Sequence, residues 1–215
     1  MKKLLYLNVA DLPYLSGTLP PCLGDLPTLG LLRIVQTGIQ GEIPWSRWMP
    51  LFVDQGSVVN SRGLVLHIES NPNLFGRATP EEFPLMENGT NGTRANNTIM
   101  QFGCQISKLK IISQPDLSGN LSSTIARCTI SQLIITDVSL TGDLPLEICE
   151  ICSLEHLEIT GTNLSQKSID AFNSQCNISQ HIDLCWVMRK EKELPYGNET
   201  GEYKWLVSYH VNSTY

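Results

Sequence analysis

The sequence predicts an α/β solenoid, a stack of about six or seven similar coils whose short strands pair in one parallel sheet. Three observations predict this fold class. Cysteines recur at a spacing of 24 residues, two aliphatic residues separated by one position follow at a fixed distance, and a glycine-and-proline pattern recurs later in the units. A single coil cannot bury its apolar face, so such units are stable only when they are stacked.

The cysteine register is strict over the middle of the chain, where it comprises Cys104, Cys128, Cys152 and Cys176. The aliphatic pairs that follow the first three are Leu109 and Ile111, Leu133 and Ile135, and Leu157 and Ile159. Residues at period two leave the same face of a strand, so each pair marks a strand that faces the core. The fourth unit has His181 and Asp183 instead. We therefore expect a solenoid over residues 1–180 and a C-terminal cap over 181–215.

The same aliphatic pattern extends toward the N-terminus at looser spacing. We identify it in Leu5 with Leu7, in Leu32 with Ile34, and in the strand that ends at Ile68. Unequal spacing around a constant pattern indicates insertions that loop out of a repeated scaffold. We place these inserted loops near residues 45–63 and 77–103.

The second half of the units carries its own signature, seen in LSGTLPPCL (15–23), IQGEIPWSRW (39–48), LFGRATPEEF (74–83) and LTGDLPLEI (140–148). Together with the aliphatic pairs, these segments resemble the plant-type extracellular leucine-rich repeat over about residues 4–176. The resemblance implies parallel strands on a concave face and an irregular or 3-10 convex side. Two units depart from it: no proline follows Leu121, and the unit at Leu164 lacks both the glycine and the proline.

Composition excludes several classes of protein. With 41% hydrophobic and 17% charged residues, the chain is expected to be one ordered domain. Its net charge of -6 and its lack of a basic stripe argue against a nucleic-acid partner. It has no apolar run of transmembrane length. The four histidines lie in different units, away from any recognisable nucleophile motif, so we expect neither an enzyme nor a cofactor.

Asparagine usage points to a secreted or cell-surface glycoprotein. Eight of the 14 asparagines open an N-x-Ser/Thr sequon: Asn88, Asn91, Asn96, Asn120, Asn163, Asn177, Asn198 and Asn212. Asparagine and threonine also suit turns, which is a sufficient explanation of Asn163. It does not explain three sequons within residues 87–98, so we expect N-linked glycans.

Seven cysteines favour an oxidising compartment without fixing the connectivity. Neighbouring coils are close enough for Cys104 to bond Cys128 and for Cys152 to bond Cys176, but a buried ladder of thiols fits the spacing equally well. Cys149 and Cys152 form a C-x-x-C motif, which elsewhere indicates redox catalysis or zinc; here the repeat explains both. We assign Cys185 to the cap, with Cys149 as a candidate partner. Cys22 has no evident partner.

The outward positions of the strands form a candidate binding face. We expect a row of Tyr6, Arg33, His67, Lys110, Ile134 and Glu158, flanked by Asn8, Val35, Glu69, Ile112, Thr136 and Thr160. The resemblance makes this concave face the usual binding surface. A protein-binding groove and a plain solvated sheet remain equally open at this point.

The two ends suggest assembly. MKKLLYLNVA begins as a signal peptide would, but Asn8 and Asp11 interrupt the apolar run, and we interpret it as a first strand without an N-terminal cap. Near the other end, EYKWLVSYHV alternates as a strand does. That strand could cap its own chain or pair with another molecule. The residues that would make such a contact are Leu5, Leu7, Tyr203, Trp205, Val207 and Tyr209.

Two non-enzymatic functions follow from these observations. The first is a secreted, heavily N-glycosylated structural scaffold that assembles head to tail into an extracellular filament, so that its partner is itself. The alternative is an extracellular module that binds another protein or a peptide on its concave sheet, resembling receptor ectodomains or polygalacturonase inhibitor proteins.

Overall fold

The computed structural model describes residues 4–52, 63–84 and 104–176, and the backbone of residues 204–207. These parts contain nine strands and two α-helices. The strands are β1 (Tyr6–Thr18), β2 (Leu31–Glu42), β3 (Leu64–Glu69), β4 (Asn73–Arg77), β5 (Ile106–Gly119), β6 (Gln132–Gly142), β7 (His156–Thr160), β8 (Asn163–Leu164) and β9 (Lys204–Val207). The α-helices are α1 (Trp45–Trp48) and α2 (Gln166–Gln175).

Seven of the strands form one parallel strip, in the order β1-β2-β3-β5-β6-β7-β9. Along the strip the inward leucines are in register, as Leu66 with Leu109 and Leu133 with Leu157. These side chains are fully buried because the alternation places them between neighbouring coils. The predicted solenoid with parallel strands is confirmed.

The chain bends where the concave pairing ends, and in the coils of β1, β2, β3, β5 and β6 a residue that is not glycine adopts a left-handed conformation at this bend. These residues include Gln36 (φ 50°), Ser70 (φ 52°), Ser113 (φ 51°) and Asp137 (φ 53°). Such a φ is unusual outside glycine. Beyond the bends the chain forms a second parallel strip, in which β4 pairs with β2 and β5, and β8 pairs with β6.

Short helical segments complete the coils on the convex side. Besides α1 and α2 they are the 3-10 turns Pro21–Asp25, Met49–Phe52, Ser123–Arg127 and Leu146–Glu150. A proline occupies the N-cap position of three of the convex helical segments. In the two units that lack this proline, a serine occupies the N-cap position instead. Ser122 Oγ accepts from the Thr124 amide (3.3 Å), and Ser165 Oγ accepts from the Ser168 amide (3.2 Å). Serine is a favoured N-cap, so the two departures from the repeat pattern keep the helix start intact.

The parts of the predicted insertions that the structure describes pack against the coils. Trp45, Trp48 and Phe52 are buried, with 6.2 Å between the two tryptophan ring centroids. Phe83 is buried beside Phe52, at 6.5 Å between centroids. These aromatic side chains fill the convex side of the N-terminal coils. Residues 53–62 and 85–103 lie outside the described residues.

Strand β1 is shifted by two residues from its predicted register. Leu7 pairs with Leu32 and Val9 with Ile34, so the inward pair is Leu7 and Val9. We had expected Leu5 and Leu7. The alternation of Leu5, Leu7 and Val9 fits either register, and the pairing with β2 decides between them because the Leu5 carbonyl accepts from the Gly30 amide (2.8 Å).

A polar ladder crosses the core just after the bends. Asn71 Oδ1 accepts from the Thr37 amide (3.1 Å) and from Thr37 Oγ1 (2.7 Å), while its Nδ2 donates to the carbonyls of Ile34 (3.1 Å) and Glu69 (2.9 Å). Gln114 continues the ladder when its side-chain amide is oriented so that both its nitrogen and its oxygen are hydrogen-bonded. The nitrogen then donates to the Asn71 carbonyl (2.9 Å), and the oxygen accepts from the Asn71 backbone amide (2.7 Å). The ladder thus satisfies backbone groups that the bends remove from the strand pairing.

Two disulfides join neighbouring coils. Cys104 bonds Cys128, with 4.2 Å between the Cα atoms, which confirms one of the expected pairings. Cys176 bonds Cys149 (Cα to Cα 5.8 Å), which corrects the expected pairing of Cys152 with Cys176. The expected pairing of Cys149 with Cys185 involves a residue outside the described ones. Cys176 is brought to Cys149 because it forms the C-cap of α2.

Three cysteines remain besides these four. Cys152 also takes part in a disulfide, and Cys185 lies outside the described residues. Cys22 is exposed and forms no disulfide within the part of the chain that the structure describes. The buried ladder of free thiols is therefore wrong for the cysteines at the 24-residue spacing.

The terminal strand β9 pairs with its own chain. It lies parallel to β7, with Lys204 opposite His156, Trp205 opposite Leu157, and Val207 opposite Ile159. Trp205 and Val207 thus occupy the register positions of inward residues of the solenoid. Tyr203, Tyr209 and the rest of the predicted cap lie outside the described residues.

Candidate binding surface on the concave sheet

One row of outward positions runs across the concave strip. Its members, strand by strand, are Asn8, Arg33, His67, Lys110, Ile134 and Glu158. Five of these are the residues expected from the sequence. Tyr6 is not in this row: it pairs with Leu31 and lies in the neighbouring row, because β1 is shifted by two residues. It is still outward, and 69% of it is exposed.

Three side chains of this row, on adjacent strands, form with Lys108 what we call the cation cluster: the cations Arg33, Lys108 and Lys110 around His67. Arg33 is directly opposite His67, and His67 is directly opposite Lys110. Lys108 precedes Lys110 by two residues and therefore shares its face of β5. Sequence reasoning missed Lys108, although the alternation in Lys108-Leu109-Lys110 is a sufficient signal for it.

Glu69 is the acidic neighbour of this cluster. It lies two residues after His67 on the same face of β3, and its Oε2 is 2.8 Å from His67 Nε2. Burial lowers the pKa of His67, the Glu69 carboxylate opposes that shift, and the charges of Arg33 and Lys110 add to it. His67 is therefore disposed to be neutral at neutral pH.

A second histidine and carboxylate lie four strands away from Arg33. His156 Nε2 is 3.4 Å from Glu158 Oε2, again two residues apart on one strand. The concave strip thus carries positive charge on β2 and β5, the Glu69 carboxylate on β3 between them, and the Glu158 carboxylate on β7. Electrostatically, its two ends are not equivalent.

Apolar side chains surround the cation cluster on the same surface. Val65 precedes His67 by two residues, Ile112 follows Lys110 by two, and Ile134 is opposite Lys110 on β6. All three are only partly buried. A sheet face that only meets water normally carries polar residues at such positions. The mixture of partly exposed aliphatic and cationic side chains is more typical of a surface that contacts another chain.

The structure offers little for catalysis or metal binding. Among the described residues, His, Cys, Asp and Glu form no group of three able to hold a metal ion. His67 and His156 lie on different strands, each beside a glutamate, and His181 and His210 lie outside the described residues. In the same parts of the chain, no helix is long and apolar enough to cross a membrane.

Two sequon asparagines lie away from the concave sheet. Asn120 and Asn163 are exposed, and Asn120 Oδ1 accepts from Thr141 Oγ1 (3.2 Å), while Thr141 pairs with Asn163 in the second strip. The serines of these two sequons are the N-caps Ser122 and Ser165. The other six sequons lie outside the described residues.

Comparison with known proteins identifies the architecture. No family model matches the chain, and no curated protein matches it either. Among solved structures it is similar to the LRR ectodomain of the plant membrane receptor kinase GASSHO1/SCHENGEN3 from Arabidopsis thaliana, in complex with Casparian strip integrity factor 2. The TM-score is 0.52 and the identity 22%, over 76% of this chain and 16% of that one.

The structure of PEPR1 with AtPEP1 gives a similar result, with a TM-score of 0.52 and 21% identity over 74% of this chain and 18% of that one. The chain has a leucine-rich-repeat fold. This agrees with the resemblance found in the sequence and with the parallel strip β1-β2-β3-β5-β6-β7-β9. The leucine-rich-repeat chain spans less than a fifth of the length of either neighbour.

Proposed function

We propose that this leucine-rich-repeat chain is a non-enzymatic, extracellular module that binds a protein or peptide segment on its concave sheet. The observation that carries the proposal is the outward surface of that sheet. It combines partly exposed aliphatic side chains, such as Val65 and Ile134, with the cation cluster on a rigid frame of parallel strands. Such a surface presents apolar contact area and hydrogen-bond donors in a fixed arrangement, which reduces the entropy lost on binding.

The structural neighbours support this proposal. Both were solved with a second molecule, Casparian strip integrity factor 2 for the GASSHO1/SCHENGEN3 ectodomain and AtPEP1 for PEPR1. We propose by analogy that the present chain also has a proteinaceous ligand. The analogy concerns the architecture, and the choice of ligand must come from this chain's own outward residues.

An extracellular or cell-surface location is part of the proposal. The disulfides Cys104–Cys128 and Cys149–Cys176 support it, because disulfides persist in oxidising compartments. We also propose N-linked glycans at exposed Asn120 and Asn163. Enzymatic removal of the glycans from secreted material would convert each occupied asparagine to aspartate, which peptide mass spectrometry detects. Unchanged asparagines at both positions would contradict this part.

The comparisons give no support to the head-to-tail filament. The strand expected to reach another molecule, represented by Lys204–Val207, pairs with β7 of its own chain. The described part of this strand therefore acts as an added strand of the solenoid. We keep the binding module as the proposed function.

A pair of matched variants tests the binding module. The secreted chain would be used to select binders from a displayed library of random linear peptides. Ile134→Asp places a charge on the concave sheet, while Leu146→Asp places the same charge on the convex side, where Leu146 is 39% exposed. We expect the selected peptides to lose binding to the Ile134→Asp variant and to keep it for the Leu146→Asp variant.

Circular dichroism and thermal unfolding of both variants verify that each remains folded. The proposal is wrong if no peptide is enriched, or if the enriched peptides bind both variants as they bind the parent chain. Binding lost only in the Leu146→Asp variant would place the interaction on the convex side, and would equally refute a concave site.

A further inference from the structure

We propose that the cation cluster of Arg33, His67, Lys108 and Lys110 is a carboxylate-binding subsite that selects an acidic peptide segment. This inference rests on the proposed function and names the chemistry of the ligand. It begins from a contrast in charge. The chain as a whole carries a net charge of -6, whereas its concave strip gathers basic side chains on β2, β3 and β5.

The fold itself does not need this cluster. The inward residues between the basic ones, such as Leu66 and Leu109, are fully buried and hold the coils together. The outward basic side chains do not contribute to this core. Lys108 and Lys110 are like charges two residues apart on one strand, with about 7 Å between their Cα atoms, and the core requires neither of them. A ligand that brings negative charge would offset their mutual repulsion.

The charges are also available. Within the parts that the structure describes, Lys108 and Lys110 form no ion pair. Arg33 Nη1 donates to Asn8 Oδ1 (3.1 Å), which leaves further guanidinium N–H donors unused. Glu69 is occupied by His67 at 2.8 Å. Among the described residues Glu69 is thus hydrogen-bonded to the histidine and forms no ion pair with either lysine.

The dimensions favour a short acidic segment. Strands lie about 4.8 Å apart, so the Cα atoms of Arg33 and Lys110 are separated by about 10 Å, and those of Lys108 and Lys110 by about 7 Å. An extended peptide repeats its side chains on one face every 7 Å or so. Two carboxylates of such a peptide therefore match the two lysines, and its apolar residues would meet Val65, Ile112 and Ile134.

The experiment extends the peptide selection with a charge test. The selected peptides are sequenced, and synthetic copies with every Asp and Glu replaced by Asn and Gln are compared with the originals. On the protein side, the double variant Lys108→Gln, Lys110→Gln is compared with Lys167→Gln, a control on the exposed surface of α2. Binding is measured by titration calorimetry at low and at moderate salt.

We expect acidic residues to be enriched in the selected peptides and the affinity for the double variant to fall about tenfold, the effect of two partly exposed ion pairs. The Lys167→Gln variant should bind as the parent does, and added salt should weaken binding to the parent more than to the double variant.

The experiment distinguishes a failure of the carboxylate subsite from a failure of the concave binding module. Peptides that lose binding on Ile134→Asp but show no acidic enrichment, and that bind the double variant normally, would overturn the carboxylate subsite and leave the concave module standing. Peptides insensitive to Ile134→Asp would overturn both. An equal loss with Lys167→Gln would show general charge attraction and would also refute the subsite.

Discussion

Replacing Asn71 by alanine should strongly destabilise the solenoid. Its side chain is fully buried and makes four hydrogen bonds, two to Thr37 and two to the carbonyls of Ile34 and Glu69. At about 1 kcal/mol each, their loss costs about 4 kcal/mol of the free energy of unfolding. For a chain of this size that corresponds to a fall of about 10 °C in Tm.

The matched control is Thr162, which occupies the equivalent position at the bend after β7. It is buried as well, yet its Oγ1 finds no hydrogen-bond partner among the described residues. The neighbouring ladder position holds Val138, which offers no side-chain donor or acceptor. Thr162→Val therefore removes an unsatisfied hydroxyl, and it should leave the free energy of unfolding unchanged or raise it by about 1 kcal/mol.

Urea unfolding at neutral pH, followed by circular dichroism with the disulfides intact, measures both changes. Thr37→Val removes the 2.7 Å bond from Thr37 Oγ1 to Asn71 Oδ1 and the 3.3 Å bond that Oγ1 accepts from the Ile39 amide, so it should fall between the two at about 2 kcal/mol. The reasoning is refuted if Asn71→Ala costs less than Thr37→Val, or if Thr162→Val destabilises as much as Asn71→Ala.

Three further predictions concern the crosslink, a close approach and the histidine. Replacing Cys104 and Cys128 by serine should cost about 3.5 kcal/mol in urea unfolding, because the bond closes a loop of 24 residues; Cys22→Ser is the control, and equal losses would contradict the argument. Gly24→Ala should cost about 1–3 kcal/mol, because the added Cβ would meet the backbone carbonyl of α1; an unchanged urea midpoint would show that this contact does not constrain the coil. Burial lowers the pKa of His67, so the folded chain takes up that proton less readily than the unfolded chain, and stability falls as the pH drops below about 6.5. His67→Gln should flatten this dependence, and an unaltered slope in urea titrations would exclude His67 as its source.

The repeat pattern was sufficient to predict the solenoid. Its inward positions obey a strict rule, since any polar residue there would be buried between coils, and Leu133 and Ile135 are fully buried as that rule requires. The same pattern left the first strand ambiguous. Leu5, Leu7 and Val9 alternate in either register, and only the pairing with β2 distinguishes them.

The convex side was harder to predict because its segments do not share one length. The sequence predicts an inserted loop that begins at Trp45, but the indoles of Trp45 and Trp48 are buried, and Trp48 Nε1 donates to the Pro20 carbonyl of the previous coil (3.2 Å). The pairing of Cys176 with Cys149 was missed for a related reason. It depends on α2, a full helix where other coils have a short turn, and the 24-residue cysteine spacing carries no sign of that change.

The candidate site follows a different rule from the core, and this is why its positions could be predicted but its chemistry could not. Alternation fixes which residues face outward, so Arg33, His67 and Lys110 could be placed in one row from the sequence. It does not fix their chemistry, because an outward position accepts any side chain that water solvates. In Lys108-Leu109-Lys110 the fold explains the leucine and leaves both lysines unexplained. Residues that the core does not require, placed together on a rigid sheet with the sign opposite to the chain's net charge, are best explained by what binds there.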